Sequence, residues 1–199
     1  TADIEQMRPL HFAAKSGSVP IVLTLLANGA DAGAANALGQ NAAGVAGDNQ
    51  QLQDILLDQL HEAASQLKKR FASAQLVTAA ARGDVARCRA LLLAGADPDS
   101  TDGRLTALQR AVSERQMSAV RLLLDAGATV GLPAVGKDTN GAAALHFAAI
   151  QGHVEVVQAL VTAGANVNQA NNQGETALRL AAGQGHVEVV QALVTAGAN

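Results

Sequence analysis

The chain has 199 residues, of which 49% are apolar and only 2% aromatic, with three Phe and neither Tyr nor Trp, so its core must be built from Ala, Leu and Val. Charged residues make up 16% and the net charge is −3, which excludes a disordered polyelectrolyte and argues against a strongly nucleic-acid-binding protein. The single cysteine, Cys88, excludes an internal disulfide framework and a multi-cysteine zinc site, and no apolar run approaches the roughly 18 residues that a membrane helix needs.

Internal repetition organises what is left. In chain order, RPLHFAA begins at Arg8 and is followed by Gly17 and Gly29. A poor copy opens at Asn41, with Gln50 and Glu62 where glycines are expected. Ala74 opens a third, with Gly83 and Gly95; TALQRAV at Thr106 a fourth, with Gly127; AALHFAA at Ala143 a fifth, with Gly152 and Gly164; and TALRLAA at Thr176 a sixth, with Gly185 and Gly197. The stretch QGHVEVVQALVTAGAN starting at Gln151 recurs letter for letter from Gln184. Six units thus start near Asp3, Asn36, Lys69, Thr101, Asp138 and Asn171, spaced 33, 33, 32, 37 and 33 residues apart. Their expected bounds are 1–35, 36–68, 69–100, 101–137, 138–170 and 171–199, the last one truncated. The long spacing assigns a loop insertion to 130–139, a stretch bearing Gly and Pro.

Each unit reads as helix, turn, helix, hairpin. In the sixth, Leu178, Leu180, Ala181 and Ala182 make a short apolar face that Gly183 and Gly185 stop, and Val187, Val190, Leu193 and Val194 recur at helical spacing. Gly197 is expected in the left-handed conformation that ends a helix, and 166–175 is rich in turn formers. The second unit runs from 52 to 70 without a breaker, and Leu52, Leu56, Leu60, Ala63 and Leu67 fit one stripe of a long helix. Two readings stay open: a degenerate repeat with an extended helix, or a joint at which the third unit opens a second array.

The period and the motifs Arg8-Pro9-Leu10-His11-Phe12-Ala13, Ala143-Ala144-Leu145-His146-Phe147-Ala148 and Gly164-Ala165-Asn166-Val167-Asn168 resemble the ankyrin-repeat family. The resemblance covers essentially the whole chain, strongest in the fifth and sixth units and poorest in the second; 74–84 resembles the family's opening, capping unit. It implies an all-α repeat solenoid of stacked helix-turn-helix units joined by β-hairpin loops. The chain stops at Asn199, where the family continues with Val-Asn, and its last unit has no polar capping face, so the natural protein is expected to continue.

The resemblance also implies a non-enzymatic scaffold that binds another protein on a concave face of hairpin tips and first-helix ends. Carried over residue by residue, the tips are Arg104, Thr139, Asn140, Ala142, Asn172, Gln173 and Glu175. The first-helix ends are Lys15, Ser16, Asp48, Asn49, Ala81, Arg82, Ser113, Glu114, Ile150, Gln151 and Gln184. Such a groove would lack an aromatic anchor, leaving Arg82 and Arg104 as the best ones present. A basic zone spans Lys68, Lys69, Arg70, Arg82, Arg87 and Arg89, either a solvated helix face or a surface steering an acidic partner. The alternative function is a targeting segment of a larger multidomain enzyme or bacterial effector that recruits its substrate.

His11 and His146 fall where the family uses histidine to bond neighbouring backbone, and His153 and His186 follow helix-ending glycines. His61, with Asp58 and Glu62 nearby, has no convincing ligand spacing. Cys88 has no positioned histidine to make it a nucleophile, no glycine-rich stretch has the form of a phosphate loop, and Asp97 and Asp99 flank Pro98 in an exposed hairpin. No catalytic residue, metal ion, cofactor, nucleic acid or membrane insertion is expected. A monomer in the cytoplasm, or an effector delivered to a host, is the expected setting.

Overall fold

The computed structural model describes residues 6–199, and the expected start of the first repeat near Asp3 lies outside them. The described residues form helices, turns and two isolated antiparallel bridges, with no strand. The chain divides into two compact units, Thr1–Leu67 and Lys68–Asn199.

In the first unit, α1 (Pro9–Lys15) packs on α2 (Val19–Ala27) and on the short α3 (Ala42–Val45). Pro9 sits in the first turn of α1, where a missing N–H costs nothing. Leu10, Ala13, Ala14 and Val22 join Leu52 and Leu56 of α4 (Gln50–Arg82) in one core. Helix α4 contains no Gly or Pro, so nothing interrupts its backbone ladder. It runs beyond the expected 52–70, and the stretch 74–82, expected as a separate first helix, continues it. The expected apolar stripe is only half realised: Leu52 and Leu56 are fully buried and Leu60 partly, but Ala63 and Leu67 are exposed, because the core of this unit extends no further along the helix than Leu60.

The second unit holds the end of α4 and seven helices: α5 (Val85–Leu93), α6 (Ala107–Ser113), α7 (Met117–Asp125), α8 (Ala144–Ile150), α9 (Val154–Thr162), α10 (Ala177–Gln184) and α11 (Val187–Thr195). First helices stack in the order α6, α8, α10, and second helices in the order α5, α7, α9, α11. Alanines 107, 111, 144, 148, 149, 177 and 181 are almost wholly buried between them and permit close approach. Leu76, Leu108, Leu123, Leu160 and Leu193 fill the remaining volume, each contributing about 1.5–3 kcal/mol on burial. None of the three phenylalanines is buried. Gly197 takes φ +90°, the left-handed geometry expected after a second helix. Gly183, expected to stop its helix, lies inside α10; Gly185 alone ends it, at φ +75°. The hairpins reduce to single bridges, Thr101 with Thr106 and Ala170 with Thr176.

The duplicated sequence provides an internal control on stacking. Val154 and Val161 are partly buried, whereas their twins Val187 and Val194 are 67% and 54% exposed. Ala149 is fully buried and its counterpart Ala182 is exposed. The same residue types are covered in the fifth repeat because the sixth lies on them.

In the first, fourth and fifth repeats one side-chain position ties the repeat to the stretch that follows it. His146 Nδ1 accepts from the Ala143 N–H at 3.0 Å, so Nε2 carries the proton and donates to the Glu175 carbonyl at 3.1 Å. His11 bridges in the same way, from the Arg8 N–H to the Gln40 carbonyl. Gln109 does the same work in the fourth repeat: its Oε1 accepts from the Thr106 N–H and its Nε2 donates to the Leu132 carbonyl at 2.6 Å. Burial, partly offset by these bonds and by Glu175, holds His146 below the usual histidine range. Its neutral form is therefore the folded form, and its contribution is complete above about pH 6.5, the ordinary histidine pKa. As pH falls below that value the unfolded chain takes up a proton that the folded one resists, and stability is lost. Replacing His146 with Gln, the residue the chain itself uses at 109, is expected to keep stability near that of the parent at pH 8. It should also flatten the loss between pH 6.5 and 5; urea unfolding across that range measures both.

Candidate functional site

The tips and first helices of the fourth, fifth and sixth repeats enclose a cavity of about 270 Å³. The fourth contributes Arg104, Leu105, Arg110 and Ser113; the fifth Asp138, Thr139, Asn140, Ala142, Phe147 and Ile150; the sixth Asn171, Glu175 and Leu180. Seven residues expected from the sequence thus meet in one place: Arg104, Ser113, Thr139, Asn140, Ala142, Ile150 and Glu175. Local chemistry sets their positions. Thr106 caps α6 by accepting from the Gln109 N–H, Thr176 caps α10 by accepting from the Arg179 N–H, and the Asn172 N–H donates to the Asn140 carbonyl at 2.8 Å, tying two tips together. The insertion also serves this site: the Val135 and Gly136 N–H groups donate to the Arg104 carbonyl, fastening the loop to the tip of the fourth repeat.

The rim carries ions that neutralise each other. Arg104 pairs with Asp138, Arg110 with Asp102, and Arg179 with Glu175 at 3.9 Å. Partial burial raises the Asp102 carboxyl, but the Leu105 and Arg104 N–H groups and the Arg110 guanidinium outweigh it and hold it at about 2. Apolar groups occupy the space between these pairs: Leu105 is buried, Phe147 and Leu180 are partly buried, and Ile150 is 38% exposed. Such a cavity suits one apolar side chain entering between satisfied ion pairs.

Two expectations are corrected. Thr139 is no open tip residue: it is 8% exposed and its hydroxyl turns inward to the Gly136 carbonyl. The groove does have an aromatic group, Phe147. The other sequence-derived residues lie outside the cavity. Glu114, Gln151, Asn172, Gln173 and Gln184 are exposed, and Gln151 donates to the Ser113 carbonyl at 3.2 Å, bridging two first-helix ends. Arg82 lines a different cavity. In the first unit Lys15 is exposed, Ser16 donates to the Ala13 carbonyl, Asp48 is exposed and Asn49 caps α4 by accepting from the Leu52 N–H.

The residues missed by sequence reasoning share a place in the repeat. Arg110, Phe147 and Leu180 occupy one repeat position, immediately after Gln109, His146 and Arg179; Phe12 and Thr78 occupy it elsewhere. Leu two places before and Ala one place after recur in these units while this letter changes, but the connecting letter immediately before it changes as well, so variation alone does not separate a contact position from a buried one. Cys88 is fully buried, and burial, with Asp84 adding to it, pushes its thiol up, away from nucleophilic chemistry. No cluster of His, Cys, Asp or Glu among the described residues could hold a metal ion, and no described helix is long and apolar enough to cross a membrane.

Ankyrin-repeat family models match three stretches: "Ankyrin repeat" over 6–37, "Ankyrin repeats (many copies)" over 76–124 and "Ankyrin repeats (3 copies)" over 131–199. Among curated proteins, the chain is 34% identical to the probable E3 ubiquitin-protein ligase XBOS33 of Oryza sativa subsp. japonica, over 80% of this chain and 32% of that protein. It is 30% identical to the ankyrin repeat and KH domain-containing protein mask-1 of Caenorhabditis elegans, over 79% of this chain and 6% of that protein. It is 36% identical to the palmitoyltransferase Hip14 of Drosophila melanogaster, over 48% of this chain and 15% of that protein. The chain therefore spans at most a third of the length of these relatives, and what it shares with them is the repeat region. Ankyrin repeats bind other proteins and are not themselves catalytic. With the period, the paired helices, the connecting histidines and these three matches in agreement, the chain belongs to the ankyrin-repeat family.

Proposed function

We propose that the chain is a monomeric scaffold that holds a partner protein in the groove of the fourth to sixth repeats, with an apolar side chain of the partner seated between Phe147, Ile150 and Leu180. The observation that carries this reading is the cavity itself: three successive repeats supply apolar groups to one depression whose surrounding charges are already paired. A pre-formed groove loses little ordering entropy on association. The test is affinity capture with the parent chain and with a Phe147→Ser/Ile150→Ser variant. A partner retained by the first and lost by the second is the expected result; equal capture by both rejects the groove.

A second reading is favoured by how little of its relatives' length the chain spans. In a longer protein, an enzyme such as a ubiquitin ligase included, the same groove would recruit the substrate on which another domain acts.

A further inference from the structure

A second cavity, of about 280 Å³, lies on the last third of α4 and shares no residue with the groove of the fourth to sixth repeats; its lining includes Phe71, Gln75, Thr78, Arg82, Asp84 and Arg87. Phe71, Thr78 and Arg82 recur at helical spacing on one side of α4, and Phe71 is 69% exposed. A phenylalanine this open on a helix, in a chain with only three, is an exposed aromatic side chain that the described residues leave largely uncovered.

Charge separates this surface from the groove. The segment 68–89 carries six of the chain's fourteen Lys and Arg but only one of its seventeen Asp and Glu. That one, Asp84, is committed as a helix cap, accepting from the Arg87 N–H at 2.9 Å. All six cations are exposed, and among the described residues none of them forms an ion pair, whereas the arginines of the groove are paired. Arg87 donates to Gln75 Oε1 at 2.6 Å, which fixes its guanidinium beside the α4 surface. Beside Phe71 the cavity lining holds two cations, Arg82 and Arg87, against the single carboxylate of Asp84, and this local positive excess on a protein of net charge −3 attracts a negative charge that the rest of the molecule repels.

We propose that this surface binds an acidic protein segment, with one apolar side chain of that segment against Phe71 and carboxylates on Arg82 and Arg87. Phe71, with Ala74 and Ala79 beside it in the lining, offers a contact for an apolar side chain, and this with the absence of Tyr and Trp for stacking favours a peptide over a nucleic acid. The test begins with selection of a random peptide library on the full chain. Enriched peptides are then titrated by fluorescence anisotropy against the parent, Phe71→Ser, Arg82→Glu and Phe147→Ser. Phe71 and Arg82 are exposed, so circular dichroism should show both variants folded. The expected result is a class of peptides with acidic residues flanking an apolar one, weakened about tenfold or more by Phe71→Ser and by Arg82→Glu. Phe147→Ser should leave this class unchanged, so that failure here and failure of the groove are read separately. The proposal is overturned by an enriched pool without acidic residues, by no enrichment, by acidic peptides that ignore Phe71→Ser, or by single-stranded oligothymidine binding as tightly with the same response to both variants.

Discussion

Replacing Ala149 with Glu is expected to cost at least about 3 kcal/mol, enough to disrupt cooperative unfolding of the second unit, because it drives an unpaired carboxylate into a fully buried position. Replacing Ala182 with Glu is expected to change stability by no more than about 0.5 kcal/mol, the usual range for an exposed site. The two alanines hold the same place in successive repeats, each the second Ala of its Ala-Ala pair. Local propensity predicts nearly the same cost for both. Stacking predicts a large difference, since only Ala149 has a repeat on top of it. Urea unfolding of the two variants decides between these, and equal costs would show that a repeat's own helices, not its neighbour, set its stability.

Gly152→Ala should destabilise by about 3 kcal/mol and Gly185→Ala by about 1–2 kcal/mol, again in a duplicated pair. Both residues lie at nearly the same positive φ, +73° and +75°. An L side chain there costs about 1–2 kcal/mol in either position. Around Gly185 a Cβ would meet nothing within 4 Å, but at Gly152 it would come within 2.7 Å of the His186 ring. That ring is bonded through Nε2 to the Ile150 carbonyl at 2.9 Å, so moving it away sacrifices a bond worth about 1 kcal/mol. The difference between the two variants, read from unfolding midpoints, isolates the inter-repeat contact from the backbone strain. A Gly185→Ala cost equal to that of Gly152→Ala would mean that the strain is the whole effect.

The repeat period and the helix pairs of the second unit were legible in the sequence because each rests on local rules: turn-forming glycines, helical spacing and small residues at close approaches; the connecting role of His11 and His146 came from the resemblance to ankyrin repeats. The reach of α4 was less legible. Breakers mark where a helix stops, and between Gln50 and Arg82 there are none; the sequence places the end of the second repeat's helix near 70, but the helix runs on. For the groove, the tip and helix-end positions were readable in outline, since Arg104, Ser113, Asn140, Ile150 and Glu175 do line one cavity. Phe147 and Leu180 were not, because an apolar residue beside the buried Leu145 or half-buried Leu178 reads as core until the stacking shows which side of the helix stays open. Thr139 fails for the opposite reason: a polar residue in a turn reads as exposed, but here the inserted loop folds back and takes its hydroxyl.

The most direct test of where function lies is hydrogen exchange on the chain alone and bound to its captured partner. Binding in the groove predicts new protection at 104–113, 138–150 and 171–180, with the second helices α7, α9 and α11 unchanged. Protection gained along α7, α9 and α11 instead, with the tips and first helices unaltered, would contradict the account.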